Sequence, residues 1–146
     1  MGGGFAGATT AADAQSSSRH GVKTLAPEGA IKPTGPWDVG TRAGDFVFVS
    51  GQVPMGPDGE IVAGSIATQT HQTLANIKAI LGELALWLEH VVKVTVWLAD
   101  TRDFWPFNKV YNEYFGAALP ARSCVRADMM VDCKVEIEAV AYDPRK

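Results

Sequence analysis

Apolar residues recur along this chain with two periods, and the switches between them outline the elements. From Ser65 to about Leu88, the residues Ile66, Thr70, Leu74, Ile77, Leu81, Leu84 and Leu88 fall at helical spacing. They predict one long helix, capped by Ser65 or Gly64 and weakened but not ended by Gly82. From Val91 to Ala99 the period drops to two, with Val92, Val94, Val96 and Leu98 alternating against Val91, Lys93, Thr95 and Trp97, which predicts a strand. A second helix is expected over Phe104 to Phe115, with Asp103 as N-cap and Pro106 in the first turn, where a missing N–H costs least. Phe107, Val110, Tyr111 and Tyr114 form its apolar face, and Gly116 ends it. Upstream, Phe46 to Ser50 reads as a buried strand, with shorter strands over Val22 to Ala26 and Trp37 to Thr41. Gly51 to Gly64 carries too many glycines and prolines for long regular structure. Downstream, Pro120 to Ala127 and Val135 to Ala141 alternate again, and Asp128 to Cys133 between them suits a hairpin turn.

The order is strands, long helix, strand, second helix, two strands. It predicts an α+β domain with a sheet carrying both helices on one face. The opposite sheet face also has apolar residues, and oligomerisation is the simplest way to cover it. Residues 1–21 are mostly Gly, Ala, Ser and Thr and are expected to form a flexible tail before a domain over residues 22–146. Ala85-Leu86-Trp87-Leu88 is unusually apolar for a connection, so Trp87 is expected to pack on the helix end or to form a subunit contact.

Composition narrows the function classes. A length of 146 residues with 47% apolar content suits one packed domain. The net charge of −3, with no basic run, gives no reason to expect nucleic-acid binding. The two cysteines, Cys124 and Cys133, lack metal-site spacing and favour a reduced, cytoplasmic setting over a disulfide framework. His20, His71 and His90 are scattered. There is no apolar run long enough for a membrane span and no secretory signal.

The candidate chemistry lies in the last two strands. Arg122, Cys124 and Arg126 share a face of the first, and Glu136 and Glu138 share a face of the second, opposite Val135, Ile137, Ala139 and Ala141. In a hairpin centred near Met130, Arg122 stands across from Glu138 or Ala139. Glu136 is then roughly 7–10 Å further along, at ~3.3 Å per residue. That is too far for a tight ion pair but suited to bracketing a small carboxylate ligand.

Pro120-Ala121-Arg122-Ser123-Cys124, Val135-Glu136-Ile137-Glu138-Ala139 and Val47-Phe48-Val49-Ser50-Gly51-Gln52-Val53-Pro54 together resemble the RidA (YjgF) family, over about Leu25 to Tyr142. The resemblance implies a chorismate-mutase-like fold, assembled as a homotrimer with clefts between subunits. It also implies hydrolytic deamination of 2-aminoacrylate-type enamines and imines to 2-keto acids and ammonia, with no metal or organic cofactor. Arg122 would grip the substrate carboxylate, the alternative being a structural interface salt bridge. Glu136 would hold and activate water, the alternative being a solvated strand carboxylate, with Glu138 as decoy. Ser50, Gly51 and the backbone of Cys124 would line the cleft. Asn108 would either join them or make a structural hydrogen bond.

Two departures from the family pattern stand out. Trp37 replaces a tyrosine after Gly35-Pro36, giving an indole N–H that can only donate. Arg126, Met129 and Met130 replace a Glu-x-x-x-Leu-Pro turn that is one residue longer. The competing readings are a non-catalytic small-molecule binder that uses Trp37 for stacking, and an endoribonuclease or translation inhibitor, which the acidic balance opposes.

Overall fold

The structure, a computed structural model, describes residues 20–145. The expected tail therefore falls, apart from His20 and Gly21, outside the described residues. Six strands form one mixed sheet: β1 (Val22–Leu25), β2 (Gly40–Ala43), β3 (Phe46–Gln52), β4 (Val91–Leu98), β5 (Ala121–Arg126) and β6 (Val135–Tyr142), in the order β1-β2-β3-β6-β4-β5. Helices α1 (Ile66–Glu83) and α2 (Phe104–Phe115) pack together on one face, as the patterning predicts.

The terminal hairpin does not form. β5 pairs in parallel with β4, and β6 lies between β3 and β4, antiparallel to both. Side-chain character explains the outcome. Val135, Ile137, Ala139 and Ala141 are all buried, which suits a strand hydrogen-bonded along both edges. β5, with Arg122, Ser123 and Arg126, is more polar and tolerates the sheet edge. The chain reaches it from β4 through α2, the kind of crossover that parallel strands require.

The second strand starts later than expected, at Gly40 rather than Trp37. Its register is fixed by a tight turn pairing Ala43 with Phe46, with Gly44 at φ +56°. Ser65 caps α1, its Oγ accepting from the Thr68 N–H at 3.2 Å. Asp103 stands at the start of α2 without a side-chain capping bond, and Asp100 instead caps the short turn before it. Tyr114, expected on the apolar face, lies half-exposed with its hydroxyl 3.1 Å from His71 Nδ1, and Phe115 takes the buried position.

Helix α1 stops at Glu83, short of the expected Leu88. Ala85 adopts φ +52°, its N–H donates to the Gly82 carbonyl, and the Leu86 N–H donates to the Leu81 carbonyl. Those two bonds satisfy the last carbonyls of the helix, and fully buried Leu86 seals the end. Trp87 does not pack there and remains 56% exposed. A left-handed alanine is strained, so Ala85→Gly should stabilise the protein by about 0.5–1 kcal/mol. Urea unfolding of the two proteins measures that difference.

The core lies between the helices and the inner face of the sheet. Val47, Val49, Val94, Val96, Ile137 and Ala139 meet Leu74, Ile77, Leu81, Phe107 and Phe115 there. The outer face carries Phe46, Phe48, Val125 and Tyr142, each between 41 and 51% exposed.

Candidate active site

The sequence-derived site residues fall into two groups on opposite sides of the sheet. Cross-strand partners share a face. Arg122 pairs with Val94, which pairs with Ala139, so Arg122 points to the helix side. Glu136 pairs with Trp97, whose neighbour on the other side is Val125, so Glu136 points to the outer face. Arg122 is level with Ala139, as the hairpin register suggests, but β4 lies between the two strands. Within one chain, the bracketing arrangement of Arg122 and Glu136 is therefore absent.

Helix α2 builds the first group. The Arg122 guanidinium lies 4.7 Å from the ring centre of Tyr111, 5.7 Å from Phe107 and 5.9 Å from Phe104, and its Nη1 donates to Asn108 Oδ1 at 2.9 Å. Residues 104, 107, 108 and 111 recur at helical spacing, so one stripe of α2 supplies the whole cradle. The ring cradle is absent from the sequence-derived site because this stripe also reads as core. Asn108 within it is the available signal. Among the described residues no carboxylate pairs with Arg122, which leaves most of its donors for an outside anion. Tyr111 lies beneath the guanidinium. Burial pushes its hydroxyl up to about 12, with the Arg122 charge opposing, so the phenol stays protonated.

Cys124 follows on the same strand face. The Ala127 N–H donates to the Leu98 carbonyl, so the alternation along β5 turns the N–H and C=O of Cys124 outward, along the open sheet edge. Burial pushes the Cys124 thiol up, with Arg122 opposing, which disfavours a thiolate nucleophile.

The second group surrounds an irregularity in β3, where the pairing with β6 shifts between Val49 and Gln52. Ser50 and Gly51 occupy that shift. The Ser50 Oγ donates to the Asp38 carbonyl at 2.6 Å and the Ser50 N–H donates to the Val39 carbonyl at 2.9 Å, which fixes the loop carrying Trp37. The Trp37 ring is 58% exposed and folds back over Gly35, where any Cβ would collide with it. Gly51 abuts the Glu136 carboxylate so closely that a Cβ there would overlap Oε1. Burial pushes the Glu136 carboxyl up, and the neighbouring Glu138 charge adds to the shift. A carboxylate that binds protons more tightly than an ordinary glutamate is the better acceptor for a proton from water.

The first group thus offers a guanidinium without a carboxylate partner, with edge amides, and the second a carboxylate packed against Gly51, next to the loop that carries the exposed Trp37. No cluster of metal-ligating side chains occurs among the described residues, and no helix among them is long and apolar enough to cross a membrane.

Comparison with known proteins agrees with this architecture. The sequence model described as endoribonuclease L-PSP matches residues 27–143. A RutC family protein of Pyrococcus horikoshii is 50% identical over 117 residues, covering 79% of this chain and 93% of that protein. The 2-iminobutanoate/2-iminopropanoate deaminase of Salmonella typhimurium is 41% identical over 123 residues, covering 82% of this chain and 96% of that protein. The crystal structure of E. coli TdcF with bound serine superposes with a TM-score of 0.77 at 37% identity, covering 82% of this chain and 98% of the other. The chain belongs to the RidA family, which the endoribonuclease L-PSP sequence model describes.

Proposed function

We propose that this protein hydrolyses reactive 2-aminoacrylate-type enamines, through their imine tautomers, to 2-keto acids and ammonia. The observation that carries this reading is the unpaired Arg122 guanidinium, held in an aromatic cradle with edge amides beside it. Relatives named as imine deaminases and a relative crystallised with a small amino acid support it. Arg122 binds the substrate carboxylate through two parallel N–H bonds. Glu136 accepts a proton from water as the water oxygen bonds to the imine carbon. The π electrons of the imine move to nitrogen, to which Glu136 returns that proton, giving a carbinolamine. The hydroxyl proton is then passed through Glu136 to the nitrogen as the carbon–nitrogen bond breaks, so the carbonyl forms and ammonia leaves.

Because Arg122 and Glu136 face opposite ways in one chain, the complete site requires Arg122 of one copy and Glu136 of a neighbour. A homotrimer with inter-subunit clefts meets that requirement, and the exposed Phe46, Phe48, Val125 and Tyr142 give the outer sheet face a surface to bury. Native mass spectrometry tests the assembly, and a monomer at micromolar concentration overturns the shared site.

A coupled assay tests the chemistry. An amino-acid oxidase or a serine/threonine dehydratase releases the imine, and its disappearance is timed with and without this protein. An unchanged rate overturns the proposal and leaves a binding protein.

Gly51 supplies a finer test. A methyl group there displaces the Glu136 carboxylate, which ends a flexible side chain and can swing away without unfolding the strand. Gly51→Ala should keep the melting temperature and assembly of the parent while imine turnover falls about tenfold through misplacement of the base.

A further inference from the structure

Deamination leaves one charged side chain at the sheet edge without a task. Arg126 follows Arg122 and Cys124 on the same face of β5. With Leu98, Thr101, Phe104, Cys124 and Val125 it lines a cavity of about 260 Å³. Phe104 also stacks against Arg122, so the cavity opens beside the guanidinium assigned to the substrate carboxylate, with Cys124 between the two arginines. Asp100 is close enough to feel the Arg126 charge, but it is already engaged by Arg102, whose Nε lies 3.0 Å from each of its carboxylate oxygens. Among the described residues Arg126 has no ion pair and no side-chain hydrogen bond.

The geometry points to Arg126 as a specificity residue that selects imines bearing a second carboxylate, those of acidic amino acids, while Arg122 holds the carboxylate next to the imine carbon. This rests on the deamination reading for its chemistry. The two Cα atoms are four strand residues apart, about 13 Å at ~3.3 Å per residue. A guanidinium bonded to a carboxylate, with N···O contacts of about 2.8 Å, sets the carbons of the two groups about 4 Å apart. Both side chains are long enough to bring their guanidinium groups together from that Cα separation, so a short dicarboxylate can meet one at each end. Leu98 and Phe104 offer apolar walls to the methylene groups between them. A cavity of this shape without Arg126 would favour an alkyl side chain. The exposed Arg126 guanidinium gains nothing from such a chain, whereas a carboxylate can pair with it directly.

The test uses imines released by amino-acid oxidases from L-aspartate and L-glutamate, against those from L-alanine and L-2-aminobutyrate. The parent protein should favour the acidic pair in kcat/KM. Arg126→Gln should lose about tenfold on the acidic imines, the value of one partly exposed charge-assisted contact, and stay within about threefold on the neutral ones. Calorimetric binding of 2-oxoglutarate and pyruvate adds a readout independent of turnover. The parent should bind 2-oxoglutarate more tightly, and Arg126→Gln should abolish that margin. A parent that favours neutral imines, a variant that loses both classes equally, or equal binding of the two keto acids overturns the selection by Arg126 while deamination stands. If no imine is hydrolysed, deamination fails and the binding margin alone decides the role of Arg126.

Discussion

Replacing Arg122 by lysine should lower kcat/KM for imine hydrolysis by roughly 10²-fold, consistent with ~3 kcal/mol for a charge-assisted pair in a cleft. The charge survives the change, but three properties are lost. The planar fork that meets a carboxylate with two parallel bonds becomes a single ammonium. The stack on Tyr111, Phe107 and Phe104 no longer has a flat partner, and Asn108 Oδ1 loses the donor that aims the group. Binding of pyruvate, an unreactive analogue of the product side, should weaken alongside turnover, because carboxylate capture precedes chemistry. Melting temperature and native mass are measured on the same variant, since the guanidinium also packs against the helix. Wild-type turnover by an intact Arg122→Lys assembly would show that another group captures the carboxylate.

Much of the fold is legible in the sequence because alternation and helical spacing are local properties. The faces of β6 and α1 follow from them, as do Ser65 as a cap and the grouping of Arg122, Cys124 and Arg126. The face of β4 follows only from Val94 on, because a shift in its pairing between Val91 and Lys93 buries Val91 and leaves Val92 exposed, against the expected alternation, and α2 departs from its expected face at Tyr114. The partner of β5 is not legible, because alternation states which side chains share a face but not which strand lies alongside. Nearness in sequence favours pairing with β6. The burial of every second residue of β6 instead places that strand in the middle of the sheet, with β5 at the edge. The end of α1 is similarly hidden. Ala85 lacks the glycine signature of a left-handed cap, and the buried Leu86 two residues past Leu84 holds it there. The candidate site suffers most from the misplaced strand. Its residues are nameable from motifs, but their separation onto two faces depends on β4 lying between β5 and β6.

That separation makes Glu136 the decisive residue for chemistry as distinct from binding. Glu136→Gln keeps the shape and the hydrogen-bonding capacity of the side chain but removes the base, so turnover should fall by roughly 10²- to 10⁴-fold, the range of general-base catalysis. Binding of pyruvate should change little, because Arg122 of another copy supplies that contact. The pH profile carries the sign. Burial first, and the Glu138 charge second, raise the Glu136 carboxyl above its ordinary value, so it is protonated and inactive over a wider acidic range than a free glutamate. The acid limb of kcat/KM should therefore stand above the usual glutamate range. Glu138→Gln should move the limb down, since it removes one cause of the shift while leaving the base in place. Stability should respond in the opposite sense to activity. A carboxyl whose folded-state affinity for protons is raised favours the fold at low pH and loses that contribution as pH rises through its folded value. Glu136→Gln removes the charged form that burial penalises, so at neutral pH it should melt no lower than the parent. Loss of turnover together with a lower melting temperature would mark Glu136 as a structural group, and a larger loss from Glu138→Gln would move the base two residues along the same face of β6.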